Sequence, residues 1–379
     1  MSENCFKHAP YGDLAIINMN GCENISSKVD YYLLQFRGMP EEHTYVIKAH
    51  CPRFGTGEAK GTLSHTARGL DAFILCDCFN YGVTYNMYGQ VVPMSPDDHF
   101  QDLKRVIAAL GGKARRITVI MPMLYEGRQH RRNSRESLDC ALALQELVDM
   151  GVKNILTFDA HDPRVQNAIP LDGFDNVMPT YQMIKSLLKT VPDIKIDREN
   201  VMIVSPDEGA MSRCIYYSSL LGLDLGMFYK RRNYSVVVNG RNPIEAHEFL
   251  GKDVSGKDII IVDDMISSGD SMLDIAEQLK EKNARRIFVF TTFGLFVEGL
   301  DKFDRFYAEG KIDKVFTTNL VYSPEELLKR EWHQSVDMSK YIALLIDTLN
   351  CDNSISDLLN PVDRIKKVME KYYGPAKTK

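Results

Sequence analysis

The sequence predicts an α/β protein made of two similar domains, each built on a parallel sheet. Three observations indicate this class: short apolar strands alternate with helical segments, the alternation restarts near residue 180, and polar motifs follow the strand ends. Parallel strands need crossover connections, and helices of this kind supply them. The 379 residues suffice for two cores of roughly 150–200 residues each.

The elements of the first half follow a regular βαβ order. Strands are predicted at 14–17, 45–47, 72–75, 117–122 and 155–158, and helices at 25–36, at 98–110 and from Ser134 or Ser137 to Gly151. The helix at 98–110 ends where Gly111 and Gly112 allow a left-handed turn. A serine hydroxyl suits the start of the next helix because it can accept from an unpaired backbone N–H.

The second half repeats this order. Helices are predicted at 181–188, 210–221 and 272–280, strands at 201–204, 225–229, 259–262 and 287–292, and a surface helix at 362–373. We therefore expect an N-terminal α/β domain at 1–170, a C-terminal α/β domain at 171–345, and a C-terminal helix and tail at 346–379.

Composition excludes several classes of function. Lys and Arg number 46 against 51 Asp and Glu, and the resulting net charge of −5 offers no general attraction to nucleic acid or to an anionic membrane. No apolar run approaches the roughly 20 residues of a membrane span. The N-terminal residues lack a signal-peptide pattern, and eight scattered cysteines fit reduced thiols, so we expect a cytoplasmic protein. Cys76 and Cys78 are expected to be buried thiols rather than zinc ligands.

The segment 259–271 carries the most informative pattern. A β-branched run leads into two carboxylates and a loop of small residues, which opens a helix; these site residues are Asp263, Asp264, Ser267, Ser268, Gly269, Asp270 and Ser271. Backbone N–H groups of such a loop and the helix dipole favour a phosphate, whereas the carboxylates suit sugar hydroxyls or a metal. The pattern therefore indicates a ribose 5-phosphate site. An ordinary βα turn with acidic capping residues is the alternative.

Four further motifs are modest by themselves. The segment 53–58 resembles a glycine-flanked turn, 125–132 a basic surface loop and 229–233 a solvated charge run. His161 lies between Asp159 and Asp162 at a predicted strand end, which suits a phosphate or metal role better than a structural one.

In this order, the five motifs make the chain resemble the ribose-phosphate pyrophosphokinases, also called phosphoribosyl-pyrophosphate synthetases, over about residues 14–360. The resemblance implies the type I phosphoribosyltransferase fold. It also implies a reaction in which diphosphate passes from MgATP to the C1 hydroxyl of ribose 5-phosphate, giving 5-phosphoribosyl 1-diphosphate and AMP. A phosphoribosyltransferase and a non-catalytic regulatory relative of the synthetase are the alternatives.

The resemblance also assigns roles to residues. It implies that ATP is bound by Phe54, Glu58, Arg128 and Gln129, and that ribose 5-phosphate is held by the residues of 263–271 named above. Magnesium is expected to be organised by His161 and by Asp207 of the Pro-Asp-x-Gly segment. Lys230 and Arg232 are expected to close over the transferring group. His161 is expected to be catalytic as well as metal-linked. The family's adenine pocket includes a neighbouring subunit, so we expect a homo-oligomer.

Three positions depart from the family pattern. Thr56 stands where the family usually has Asp or Asn, and His130 stands where it usually has Asp. Asp270 stands where the family usually has Gly. A carboxylate aimed into a phosphate site would weaken binding by like-charge repulsion. We therefore expect Asp270 to point away from the phosphate and to cap the first turn of the following helix.

Overall fold

The computed structural model describes residues 9–232 and 244–373, except for the side chains of 230–232 and 244–247. Two compact units divide the chain. The first comprises the residues up to Pro179 together with Asn319–Tyr322 and Asp337–Pro361. The second comprises Thr180–Thr318, Ser323–Val336 and the residues from Val362 onward.

The elements up to residue 177 all belong to the first unit. They are β1 (Asp13–Asn18), α1 (Glu23–Arg37), β2 (Val46–His50), β3 (Thr62–Leu63), β4 (Leu70–Leu75), β5 (Thr84–Met87), β6 (Gln90–Pro93), α2 (Pro96–Leu110), β7 (Arg116–Ile120), α3 (Asp139–Asp149), β8 (Asn154–Phe158), a 3-10 helix (Pro163–Ala168) and β9 (Gly173–Val177). The β5–β6 hairpin, the 3-10 helix and β9 were not anticipated, since none of them shows a long periodic pattern.

The remaining elements continue in chain order. They are α4 (Thr180–Thr190), β10 (Val201–Ser205), α5 (Met211–Leu221), β11 (Asp224–Arg232), β12 (Ile244–Leu250), β13 (Asp258–Ile266), α6 (Asp270–Glu281), β14 (Arg286–Gly294), α7 (Asp301–Ala308), β15 (Lys314–Thr318), α8 (Glu325–Leu328), β16 (His333–Val336), α9 (Ser339–Asn350), α10 (Ser356–Leu359) and α11 (Val362–Tyr373). Helices α9 and α10 lie within the first unit.

Each unit has one seven-stranded sheet, and the two sheets have equivalent strand orders. The orders are β3-β2-β1-β4-β7-β8-β9 and β12-β11-β10-β13-β14-β15-β16. Every pairing is parallel except those of the edge strands β3 and β12, which are antiparallel to their neighbours. The predicted α/β class with two similar, mainly parallel sheets is therefore confirmed.

The equivalence extends to a buried ion pair at the start of the central strands. Asp71 of β4 lies opposite Arg116 of β7, and Asp258 of β13 lies opposite Arg286 of β14. The arginine Nη2 donates to the carboxylate over 2.6 Å in the first pair and 2.8 Å in the second. Because both pairs sit at the N-terminal ends of parallel strands, the opposite, C-terminal ends remain for binding.

The first unit is completed by a late part of the chain. Asn350 of α9 donates to the Gly12 carbonyl over 3.0 Å and to the Asp71 carboxylate over 2.9 Å. Arg37 of α1 donates to Asp347 over 2.8 Å. The packing of α1 against α9 and these polar contacts thus join the two ends of this unit.

Several local expectations can now be compared with the structure. Helix α2 ends at Gly111, as its sequence predicts, but it begins at Pro96, two residues before the predicted start, with a capping box of Ser95 and Asp98. The expected serine cap of α3 is wrong: Leu138 occupies the N-cap position, and the Ser137 hydroxyl donates to the Asp139 carboxylate instead.

The described cysteines agree with the expectation of buried thiols. Cys76 and Cys78 are buried thiols whose sulfur atoms lie 3.6 Å apart. The seven cysteines of the described residues are all free and buried. In the described part of the chain, no helix combines the length and the apolar character that crossing a membrane requires.

Candidate active site

The Asp159–His161 motif of the first unit lies directly after β8. Asp159 is buried and adopts a left-handed φ of 42°, which is uncommon for a residue with a side chain. Its N–H donates to the Val177 carbonyl over 3.0 Å, and the Ala160 N–H donates to the Asn176 side chain over 2.9 Å. These contacts with β9 hold the turn so that His161 is exposed at the strand end.

Two of the predicted motifs meet at His161. The imidazole of His130, from the basic loop after β7, lies 5.3 Å from that of His161 between ring centroids. The Nε2 atom of His130 is 3.5 Å from an oxygen of Asp162. Hydrogen bonds from Arg164 hold the pKa of Asp162 at about 2, whereas burial lowers the pKa of His130. The unusual His130 is therefore a neighbour of the predicted catalytic histidine.

The basic loop itself is shaped by Gln129. The Gln129 N–H donates to the Glu126 carbonyl over 2.8 Å, and its side-chain amide donates to the Ser137 carbonyl over 2.9 Å. Glu126 has a left-handed φ of 55°. Arg128, the other predicted nucleotide ligand of this loop, is exposed. The amide of Gln129 thus fixes the loop that presents the Arg128 guanidinium.

The segment 53–58 forms a tight turn with an exposed aromatic ring. The Phe54 N–H donates to the Glu58 carbonyl over 2.7 Å, and the Phe54 side chain is 57 % exposed. The Thr56 hydroxyl donates to the Glu58 carboxylate over 2.9 Å. Arg53 anchors the turn through a 2.9 Å bond to Asp102. Phe54 and Glu58 therefore lie together on one face of the protein, with Thr56 as a local partner.

In the second unit, the two adjacent carboxylates lie inside a strand. The sequence places Asp263 and Asp264 after a strand at 259–262, but β13 continues through Ile266 and pairs with β14 along that length. The Asp264 N–H donates to the Asp263 carboxylate over 2.8 Å, and the Met265 N–H donates to Asp264 over 2.9 Å. Burial and the neighbouring Asp264 raise the pKa of Asp263.

The predicted phosphate loop is a short strand-to-helix turn. Gly269 has a φ of 88°, and a Cβ atom there would lie 2.5 Å from the ring of Phe303, so only glycine fits. The Asp270 N–H is 3.4 Å from the Ser268 hydroxyl, and α6 begins at Asp270. The loop 267–271 thus opens a helix of 12 residues, the geometry that the anion-site prediction requires.

Asp270 differs in part from its expected role. Gly269 is the N-cap residue of α6, and no side chain caps this helix, so the predicted capping by Asp270 is wrong. The carboxylate instead accepts a 2.6 Å hydrogen bond from Lys302, whose amine also donates to Glu298. That hydrogen bond lowers the pKa of Asp270.

Asp207 occupies the turn between β10 and α5. Its carboxylate accepts from the N–H groups of Gly209 and Ala210 over 2.9 and 3.2 Å. The Ser205 hydroxyl donates to the Asp207 carbonyl over 2.7 Å. Asp207 belongs to the second unit and His161 to the first. Within the described ranges, no three or more His, Cys, Asp or Glu side chains are grouped in a way that could hold a metal ion.

Lys230 and Arg232 are the last predicted site residues. Both belong to β11, whose final residues pair with β12. Their side chains lie outside the described part of the structure. Sequence reasoning missed Arg213, a buried cation of α5 that lies 3.7 Å from Asp263. Its position six residues after Asp207 in a helix was the available signal, but helical arginines are usually exposed.

Comparison with known proteins adds independent evidence. Residues 14–151 match the family model described as the N-terminal domain of ribose phosphate pyrophosphokinase, and 237–360 match the phosphoribosyl synthetase-associated domain. The ribose-phosphate pyrophosphokinase of Shewanella oneidensis is 30% identical over 312 residues, which are 81% of this chain and 89% of that protein. This chain belongs to the ribose-phosphate pyrophosphokinase family.

Other similarities agree with this membership. The Pasteurella multocida ribose-phosphate pyrophosphokinase is 29% identical over 80% of this chain and 88% of its own length. The crystal structure of the phosphoribosylpyrophosphate synthetase from Mycobacterium smegmatis matches with a TM-score of 0.72 at 20% identity, covering 89% of this chain and 98% of that one. The synthetase fold therefore extends over both units, as expected for a pyrophosphokinase.

Proposed function

We propose that this pyrophosphokinase transfers the diphosphate of MgATP to the C1 hydroxyl of ribose 5-phosphate, with the residues predicted from the sequence. The observation that carries the assignment of substrates is the arrangement in β13 and α6. The partly buried carboxylate of Asp263 and the buried one of Asp264 precede a tight turn whose residues open a helix. This arrangement provides acceptors for sugar hydroxyls and an anion site a few residues apart.

Ribose 5-phosphate is bound by the second unit. The backbone N–H groups of the turn and the hydroxyls of Ser267, Ser268 and Ser271 hold the 5-phosphate, with Gly269 allowing its close approach. Asp263 and Asp264 accept hydrogen bonds from the sugar hydroxyls. The ion pair with Lys302 keeps the Asp270 carboxylate from repelling the phosphate.

ATP is bound by residues of the first unit. Phe54 stacks on the adenine and Glu58 accepts from its amino group. Arg128 pairs with the phosphates, and Gln129 supports the loop that carries it. The adenine pocket combines these residues with a neighbouring copy of the chain, so the enzyme is a homo-oligomer. The exposed ring of Phe54 supports that arrangement.

Magnesium is the proposed cofactor, organised by Asp207 and His161. The donor chemistry fits, because magnesium prefers oxygen ligands and the Asp207 carboxylate is fixed by two backbone N–H groups. His161 acts through water or through the phosphates, since imidazole nitrogen is a poor ligand for magnesium. When bound, the ion neutralises phosphate charge and orients the diphosphate.

The reaction requires alignment more than a strong base. The C1 oxygen forms a bond to the β-phosphorus of ATP. The bond from that phosphorus to the oxygen between the α- and β-phosphates breaks, and AMP leaves with that oxygen. The proton of the C1 hydroxyl passes to solvent. Lys230 and Arg232 stabilise the charge of the transferring group. The free, buried cysteines of the described residues support a reducing compartment, so we propose a cytoplasmic enzyme with no nucleic-acid or membrane partner.

An AMP-release assay with ribose 5-phosphate and MgATP tests the proposal. We expect AMP and 5-phosphoribosyl 1-diphosphate in equal amounts, dependence on magnesium, and no product when ribose replaces ribose 5-phosphate. A non-catalytic regulatory relative would bind the substrates but release no AMP. A phosphoribosyltransferase would consume 5-phosphoribosyl 1-diphosphate when a nucleobase is added. Either result would contradict the proposed activity.

A further inference from the structure

The sugar end of the proposed site concentrates negative charge inside the second unit. Asp264 is 3% exposed as a residue, and the side chain of its neighbour Asp263 is 24% exposed. Two adjacent carboxylates in such surroundings repel each other and lose hydration. A fixed positive charge is therefore needed if both are to accept hydrogen bonds from a sugar.

Arg213 supplies a positive charge at this place. Its side chain is only 8% exposed, and its Nη1 atom lies 3.7 Å from the Oδ1 atom of Asp263. That same oxygen accepts the 2.8 Å hydrogen bond from the Asp264 N–H. The hydrogen bond from the Asp264 N–H and the charge of Arg213 thus both act on Oδ1, which favours one orientation of the Asp263 carboxylate.

The position of Arg213 is fixed by the packing of α5 on the sheet. The thiol of the next residue, Cys214, is buried and donates to the Val262 carbonyl over 3.3 Å, one residue before Asp263 in β13. At its N-terminal end, α5 is joined to the Asp207 turn through the Ala210 N–H. Helix α5 therefore connects the Asp207 turn to the strand that carries the carboxylate pair.

We propose that Arg213 is a positioning residue for ribose 5-phosphate, which orients Asp263 and balances the charge of the Asp263–Asp264 pair so that the pair accepts the sugar hydroxyls. The proposal rests on the proposed function of this site. Arg213 acts through Asp263 and not by touching the substrate. Its loss therefore changes sugar binding first.

The variant Arg213→Met removes the charge and keeps most of the side-chain volume, and Arg213→Lys keeps the charge. We expect Arg213→Met to raise the KM for ribose 5-phosphate about tenfold or more, because the partly buried Asp263 carboxylate loses the positive charge beside it. The KM for ATP should stay within about twofold of the wild-type value, and Arg213→Lys should recover most of the loss.

Arg286→Met is a matched control in the same unit. Arg286 also pairs with a buried aspartate, Asp258, but at the opposite end of β13. Its loss should lower the melting temperature and leave the KM for ribose 5-phosphate unchanged. If Arg213→Met and Arg286→Met changed stability and KM in the same way, Arg213 would be purely structural and the proposal would be wrong.

A binding measurement keeps the test independent of catalysis. Ribose 5-phosphate alone should raise the melting temperature of the wild-type protein and of Arg213→Lys, and should have a much smaller effect on Arg213→Met. Should Arg213→Met fail to fold, the double variant Arg213→Met/Asp263→Asn removes the uncompensated charge. It should bind ribose 5-phosphate no more weakly than Asp263→Asn alone, and weaker binding would overturn the proposal. If the wild-type protein releases no AMP, the proposed activity fails, yet these shifts still decide the role of Arg213.

Discussion

Lys302 donates a 2.6 Å hydrogen bond to the carboxylate of Asp270, the first residue of α6. This pair explains how an aspartate is tolerated in the predicted phosphate loop. The carboxylate is 59% exposed and the amine 40%, so solvent screens what charge remains. The pairing partner comes from α7, which no local pattern around Asp270 indicates.

Replacing Asp270 by glycine should have a small effect on the sugar site. We expect Asp270→Gly to leave the KM for ribose 5-phosphate within a few fold, because the carboxylate already faces Lys302. Its melting temperature should fall slightly, since the ion pair is lost and a second glycine follows Gly269. Steady-state kinetics and thermal unfolding check both results. A tenfold or greater fall in KM would mean that the carboxylate faces the phosphate, as expected of a detuned, regulatory subunit.

The control for that measurement is Lys302→Met. Removing the amine leaves the charge of Asp270 unpaired near the phosphate, so the KM for ribose 5-phosphate should rise about two- to fivefold. The rise should shrink at high salt and disappear in Asp270→Gly/Lys302→Met. A rise that persists in the double variant would show that Lys302 binds the phosphate itself.

Lys230 and Arg232 should matter for the transition state more than for substrate binding. We expect Lys230→Ala and Arg232→Ala to lose mainly kcat, on the order of 10²–10³-fold, because their charge is needed when the diphosphate is transferred. Initial-rate kinetics with both substrates separate kcat from KM. An unchanged kcat with a large rise in KM would show that these residues only bind substrate.

His161→Ala should stop most turnover without disturbing the fold. His161 is exposed after β8, and its described ring contact is His130 and not the core. Circular dichroism should therefore match the wild-type spectrum, while AMP release falls strongly. His43→Ala serves as a control, since that histidine lies in a loop without a predicted role. An unfolded His161 variant would favour a structural histidine.

The exposed Phe54 leads to a prediction about assembly. If a second copy completes the adenine pocket, light scattering should find a homo-oligomer. Phe54→Ala should raise the KM for ATP about tenfold, as expected for a lost base stack, and leave that for ribose 5-phosphate unchanged. Tyr31→Ala, which removes another exposed ring of the same unit, is the control. An active monomer would remove the basis for a shared pocket.

Stability should depend on pH through His333. The imidazole is buried in β16, where Thr317 bonds its Nε2 over 2.8 Å, and burial lowers its pKa from 6.5 to about 4. Between these values the unfolded chain binds more protons, so this stabilisation is complete above pH 6.5 and is lost as the pH falls toward 4. The loss amounts to about 3 kcal/mol. Chemical unfolding at pH 7 and pH 4 should show this loss for the wild-type protein and a smaller loss for His333→Gln.

Local patterns explain most of the fold. Alternating strands and helices follow from periodicity, and the end of α2 follows from Gly111. The extension of β13 through Asp263 and Asp264 could not be predicted, because aspartate is disfavoured in strands and is accommodated here by backbone N–H groups and Arg213.

The site was predictable as motifs and not as contacts. His161 and the Phe54 turn occur where the sequence indicates. The approach of His130 to His161 depends on how two loops at neighbouring strand ends fold, and the Asp270–Lys302 pair joins residues 32 positions apart. Such relationships are set by tertiary packing, which no local sequence pattern reveals.

The bonds from Asn350 to Gly12 and Asp71 also bear on how the protein folds as it leaves the ribosome. Strands β1 and β4 are synthesised early, but the helix that adds the Asn350 hydrogen bond to the Arg116–Asp71 pair emerges only after β16. Until α9 has been translated, the face of α1 that packs against it remains uncovered. The second unit is in turn completed by α11, which follows α9 in the chain, so neither unit has all of its helices until the segments after β16 have been translated.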